Sequence, residues 1–98
     1  KPDISILSDE FLAEVRGMPQ RNLAVELLQK LLKGEIKARS KRNVVQGRSF
    51  AELLERAIRK YQSRAIETAQ VIEELIQLAK DMREANAQGD ALLLRLLG

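Results

Sequence analysis

The residues of this chain that could support metal-dependent chemistry are an early acid and a Glu-x-Lys triplet. Asp3 follows Pro2, and Glu35-Ile36-Lys37 comes later, the order of acid and triplet in metal-dependent nucleases. In such sites the acids hold a divalent ion and the lysine lies beside the scissile phosphate. Both side chains must share one face of a strand, whereas here the triplet lies in a helical pattern, in which i and i+2 diverge. We therefore interpret the match as coincidental and expect no catalytic residue and no metal ligand.

The chain contains no cysteine and no histidine. Their absence excludes disulfides, thiolate catalysis, the common zinc sites and histidine acid–base catalysis. The sequence also shows no glycine-rich phosphate loop, so we expect no cofactor in this segment. No signal peptide and no apolar run of membrane-spanning length is present, which together with the missing cysteines favours a cytoplasmic location.

A basic stretch in the middle of the chain is the candidate for phosphate contact. Its residues are Lys37, Arg39, Lys41 and Arg42. The alternative is a solvated helix end, where cations interact favourably with the C-terminal dipole. No aromatic residue is interleaved to stack on bases. We favour the solvated helix end and keep contact with a DNA backbone as the alternative.

Composition and charge indicate one helical domain. A hydrophobic content of 45% and a charged content of 32% are compatible with a folded chain, and 98 residues suffice for a single domain, 1–98. The net charge of +3 is uneven, because the middle is basic and the region from Glu67 to Asp90 is acidic. The first residue is lysine and not methionine, so we expect the chain to begin inside a longer protein or to follow processing.

Two helices are predicted in the first half. Ser8 is a suitable N-cap and Gly17 a suitable stop for a short helix Asp9–Arg16, with Leu7 and Leu12 as a hydrophobic staple. A medium helix should have Pro19 in its first turn, pass through Gly34 and end near Lys41, before a polar connection over 40–47. Its buried row consists of Ala24, Leu28, Leu32 and Ile36.

One very long helix is predicted from Ser49 to Gln88. Ser49 and Glu52 form a capping box, no glycine or proline interrupts the stretch, and Gly89 follows it. Its length would be about 60 Å, with the medium helix antiparallel to its N-terminal half. A break near Arg64 is the alternative. Because the shorter helices cannot cover the whole apolar stripe, we expect a partner interface at Leu75, Ile76, Ala79, Met82, Leu93 and Leu96.

The amino-acid sequences of several stretches, taken in order, resemble one known helical region. The stretches are 8–12, 15–18, 22–24, 26–28, 30–32, 35–40 and 61–76. Together they resemble the C-terminal helical domain of the restriction (R) subunit of type I restriction-modification enzymes, over about residues 2–89. The last residues, from Leu92 onward, depart from the more acidic continuation of that family.

The resemblance implies that the chain is a non-catalytic assembly module and a fragment of a much larger multidomain subunit. In that family the R subunit carries an upstream nuclease domain and two helicase-like motors that translocate DNA with ATP, and its C-terminal helices dock onto the methyltransferase core. ATP, Mg²⁺ and the catalytic residues are therefore expected only in the upstream domains. Two alternatives remain at this point, namely a basic nucleic-acid contact surface and a free-standing helical adaptor that forms a homodimer.

Overall fold

A computed structural model describes the backbone of residues 8–97 and the side chains of residues 8–85. All regular structure within these residues is helical, as the sequence predicts, but there are four helices rather than three. They are α1 (Asp9–Arg16), α2 (Arg21–Ser40), α3 (Val44–Gln62) and α4 (Thr68–Leu97). None of the helices in this part of the chain is long and apolar enough to cross a membrane.

The first helix has the predicted bounds and the predicted cap. The Ser8 hydroxyl accepts a hydrogen bond from the Phe11 backbone N–H at 3.2 Å, and Asp9 and Glu10 occupy the positive first turn. Two residues of this helix, Leu12 and Val15, are buried in the core. The proposed staple partner Leu7 lies outside the described residues.

The structure of the second helix confirms the predicted buried row but corrects the predicted first residue. It begins at Arg21, so Pro19 precedes the helix instead of lying in its first turn. The helix continues through Gly34 as predicted, and a side chain at Gly34 would meet only open space. All four residues of the predicted row, Ala24 to Ile36, are buried.

The third helix begins earlier than the capping box predicts. The side chain of Asn43 accepts a hydrogen bond from the Gln46 N–H at 3.0 Å, so the helix starts at Val44 and Ser49 lies inside it. Gly47 therefore belongs to a helix and not to a connection. A Cβ atom there would lie 2.9 Å from the Ser40 Cα, so α2 and α3 approach each other closely at this residue.

The prediction of a single helix from Ser49 to Gln88 is wrong, and the alternative of a break near Arg64 is confirmed, because the chain turns between α3 and α4. Arg64 adopts φ 59°, a left-handed conformation, and the Ala65 N–H donates to the Lys60 carbonyl at 3.0 Å. This closure satisfies the last carbonyls of α3 without a glycine. The predicted stop at Gly89 is also wrong, since α4 continues through it to Leu97.

The turn folds α4 back against the hairpin formed by α2 and α3. The Tyr61 hydroxyl donates to Asn22 Oδ1 at 3.0 Å, so the end of α3 meets the start of α2 and the predicted antiparallel pairing is confirmed. Lys60 and Glu74 pair across α3 and α4 at 3.6 Å. α4 consequently runs antiparallel to α3 and buries its apolar stripe inside the chain.

The short helix α1 lies antiparallel on α4. Arg16 makes a bidentate ion pair with Glu73, at 2.8 and 2.9 Å, and Arg83 pairs with Asp9 at the other end. The hydrogen bond from Arg83 lowers the pKa of Asp9, and the Arg83 charge acts in the same direction. Both pairs are largely exposed, so they orient α1 more than they stabilise it.

Candidate functional site: the tip of the α2–α3 hairpin

The hairpin tip, residues 36–51, is a strongly basic part of the described surface. It comprises the last turns of α2, the short connection and the first turns of α3. No aspartate or glutamate occurs in it, whereas it contains five cations: Lys37, Arg39, Lys41, Arg42 and Arg48. Four of the five side chains are exposed, and only Arg39 is buried.

Burial of Arg39 corrects the predicted phosphate site. This side chain is 4% exposed, and its Nη1 donates to Gln46 Oε1 while its Nη2 donates to the Met82 carbonyl, both at 3.0 Å. Its guanidinium carbon lies 5.2 Å from the centroid of the Phe50 ring, close enough for a cation–π contact. Arg39 therefore connects α2, α3 and α4 and does not face solvent. The other three predicted residues, Lys37, Lys41 and Arg42, remain exposed.

The electrostatics of Arg39 fit a structural cation. Burial lowers the pKa of the Arg39 guanidinium, and the nearby Glu35 charge acts in the opposite direction. An arginine remains charged even so, because its ordinary pKa is very high. Among the described residues its Nε has no hydrogen-bond partner. The guanidinium charge therefore interacts with two neutral oxygens, of Gln46 and Met82, and with the face of the Phe50 ring.

The position of Arg39 in the sequence indicates that its side chain is buried. It follows Ile36 by three residues, and therefore continues the buried row that includes Leu28 and Leu32. Sequence reasoning gave more weight to its charge and to its basic neighbours. Gln46 carried no such signal, because it lay in a segment predicted to be a connection.

Two valines form the apolar part of the hairpin tip. Val44 and Val45 are the first two residues of α3, with 63% and 79% of their surfaces exposed. Both lie in the segment 40–47, for which the sequence predicts a polar connection. Their place in a capped helix gives these branched side chains a defined position on the surface.

The predicted partner interface on α4 is largely inside the bundle. Leu75, Ile76, Ala79 and Met82 are fully buried in the core of the chain, so this part of the prediction is corrected. The error follows from preferring one continuous helix to the alternative break near Arg64, since a helix that folds back has two neighbours to cover it. The side chains of Leu93 and Leu96 lie outside the described residues.

Only Glu35 and Lys37 of the nuclease-like pattern lie within the described residues. Glu35 and Lys37 lie on α2, where Glu35 is half-buried and Lys37 is exposed. Asp3 lies outside the described residues. Within the described part of the chain, no three acidic side chains come together in a way that could hold a metal ion.

A hollow lies at the opposite end of the hairpin, where α2 begins and α3 ends. It encloses about 840 Å³ and is wide open to solvent. Arg21, Tyr61, Arg64 and Glu67 are among its lining residues. It combines charges of both signs and lacks an enclosed wall, so it offers no defined binding geometry.

Comparison with known proteins identifies the family of the chain. The family described as "Type I restriction enzyme HindI endonuclease subunit-like, C-terminal" matches residues 1–96. A protein of Methanocaldococcus jannaschii, assigned as the type I restriction enzyme MjaIXP endonuclease subunit, is 39% identical over 92 residues. The type I restriction enzyme HindI endonuclease subunit of Haemophilus influenzae is 33% identical over 92 residues.

The coverage of these matches is asymmetric. Each takes in 94% of this chain but only 9% of the relative's own length. No solved structure matches the chain significantly. The resemblance noted in the sequence is therefore confirmed, and the chain belongs to the family of C-terminal regions of type I restriction enzyme endonuclease subunits.

Proposed function

We propose that this chain is a non-catalytic helical assembly module of a type I restriction R subunit. In this role it docks the nuclease and ATP-dependent DNA translocase onto the methyltransferase core during restriction of foreign DNA. The family match over residues 1–96 is the observation that carries the proposal. ATP and Mg²⁺ would act in the upstream domains of the same subunit.

The polar contacts of the bundle support an assembly role. The buried cation Arg39 is used to join three helices, and the pairs of Arg16 with Glu73 and Lys60 with Glu74 join others. Together these contacts fix how the helices are oriented relative to one another. A rigid surface binds a partner with a smaller entropic cost than a mobile one.

The test is assembly of the R subunit with and without this module. We expect a subunit that lacks the module to keep the ATPase activity of its motor domains but to fail to co-purify with the methyltransferase core. A subunit carrying the exposed Lys30→Glu change is the control for handling and should assemble normally. Complete assembly without the module would contradict the proposal.

A second candidate function is contact with the DNA backbone. It is favoured by the exposed cations Lys37, Lys41 and Arg42, which have no acid in the same stretch of sequence. Phosphate contacts release counterions, so binding should fall steeply as salt rises. Titration of the chain with a duplex of arbitrary sequence at several salt concentrations tests this function. A lack of binding at low salt would reject this second candidate function.

A further inference from the structure

We propose that the hairpin tip is the docking surface of the module, and that it binds an apolar hollow bordered by carboxylates on a partner protein. The inference rests on the proposed function, in which the partner is the methyltransferase core. It adds which surface docks and what chemistry that surface recognises. Three features of the tip support the inference. They are the exposed valines, the exposed cations near them in the sequence, and the contacts of Arg39 and Gly47 that hold the tip in place.

The valines supply the anchor. Val44 and Val45 protrude from the first turn of α3 with most of their surfaces exposed. Water is a poor environment for two adjacent branched apolar side chains, and a partner that buries them gains their transfer free energy. A phosphate backbone offers no apolar surface, so these side chains favour a protein partner over a nucleic acid.

The cations supply the rim. Lys41 and Arg42 immediately precede the cap of α3, and Arg48 follows one turn after the valines. All three are exposed, and the stretch from 36 to 51 contains no acid that would neutralise them. An apolar centre with a charged rim is the usual anatomy of a specific interface. Complementarity therefore requires acidic groups around the hollow of the partner.

Arg39 and Gly47 hold the tip rigid. The Arg39 guanidinium binds Gln46 Oε1, and the Gln46 N–H in turn donates to the Asn43 cap, so the turn that presents the valines is tied to α2 and α4. Gly47 allows α3 to lie against Ser40 at the same level. Both residues are positioning residues, because they fix the valines without facing the partner.

The experiment compares variants of the full-length subunit for affinity to the methyltransferase core. The apolar variant combines Val44→Ala with Val45→Ala, changes that an exposed helix tolerates because alanine has the higher helix propensity. Its matched control combines Leu23→Ala with Leu53→Ala, two exposed apolar residues of α2 and α3 that lie outside residues 36–51. The charge variant combines Lys41→Glu with Arg42→Glu, and its control combines Lys30→Glu with Arg56→Glu.

We expect the valine variant to lose roughly tenfold or more in affinity, mainly through faster dissociation. The charge variant should associate more slowly and lose the salt dependence of the wild-type rate. Both controls should stay within about twofold of wild type. Thermal unfolding followed by circular dichroism checks that every variant remains folded.

Each other outcome overturns the inference in a recognisable way. If both tip variants bind the core as wild type does, while a subunit without the module does not assemble, docking stands but uses another surface. If the subunit without the module also assembles, the proposed function itself fails. If the charge variant loses affinity only for a duplex of arbitrary sequence and the valine variant behaves as wild type, the tip is a nucleic-acid surface.

Discussion

The two ends of the α2–α3 hairpin are closed in different ways. At the hairpin tip the helices meet through a buried guanidinium, an absent side chain at Gly47 and a capping asparagine. At the opposite end they meet through one exposed hydrogen bond, from Tyr61 to Asn22, next to a turn with a left-handed Arg64. The tip therefore depends on buried side chains, whereas the opposite end has one exposed side-chain contact beside an α3–α4 turn that is closed by backbone hydrogen bonds.

This difference indicates where the chain can tolerate change. Side chains that are buried together in one arrangement are sensitive to each substitution, because a gap or an unpaired polar group results. A turn closed by backbone groups accepts most side chains that can adopt its dihedral angles. The more sensitive end is also the end that carries the proposed docking surface, so stability and recognition are coupled at the tip.

The largest expected effect is the loss of Arg39. Arg39→Ala should lower the free energy of unfolding by about 3 kcal/mol, because it leaves a cavity and removes the hydrogen bonds to Gln46 and Met82. Arg39→Met should cost much less, since methionine fills the volume and avoids the desolvation of a buried charge. Urea unfolding of the two variants measures the difference. Equal and small losses would mean that the tip is not held by this side chain.

The glycine pair Gly47 and Gly34 gives the next largest contrast. Gly47→Ala places a Cβ against the backbone of Ser40, and we expect a net loss of about 1–2 kcal/mol after the gain in helix propensity. Gly34→Ala meets open space and should stabilise α2 by roughly 0.5–1 kcal/mol. Opposite signs in urea unfolding are the expected result. The same sign for both would contradict the close approach of α2 and α3 at the tip.

Much of the fold could be predicted, because it depends on local signals. The bounds of α1 follow from a capping serine and a glycine stop. The buried row of α2 follows from apolar spacing, which tertiary contacts did not override.

The remaining features depend on contacts between distant residues. The turn near Arg64 contains no glycine or proline, and it exists because folding back buries Val71 to Met82 against α2 and α3. A helical periodicity is the same on both sides of such a turn and cannot reveal it. Arg39 was misjudged for a related reason, since its partner Met82 lies 43 residues away in the sequence.

A smaller effect should come from Arg64, and it tests the turn directly. Glycine adopts the left-handed conformation without the steric cost of a side chain, so Arg64→Gly should stabilise the chain by roughly 0.5–1 kcal/mol. Arg64→Ala keeps that cost and should change the stability little. If glycine instead destabilises by about 1 kcal/mol, as it does inside a straight helix, then α3 and α4 form one continuous helix.

The smallest effect is expected at the Tyr61–Asn22 hydrogen bond, and its size sharpens the contrast between the two ends. Tyr61→Phe retains the ring and removes only the hydroxyl, so the loss should be about 0.5 kcal/mol, at the low end for an exposed hydrogen bond. A double-mutant cycle with Asn22→Ala isolates the coupling of the pair by urea unfolding. A coupling as large as the effect of Arg39→Ala would mean that this end is also held together by side chains. The two ends would then be equally sensitive to substitution, contrary to the comparison made above.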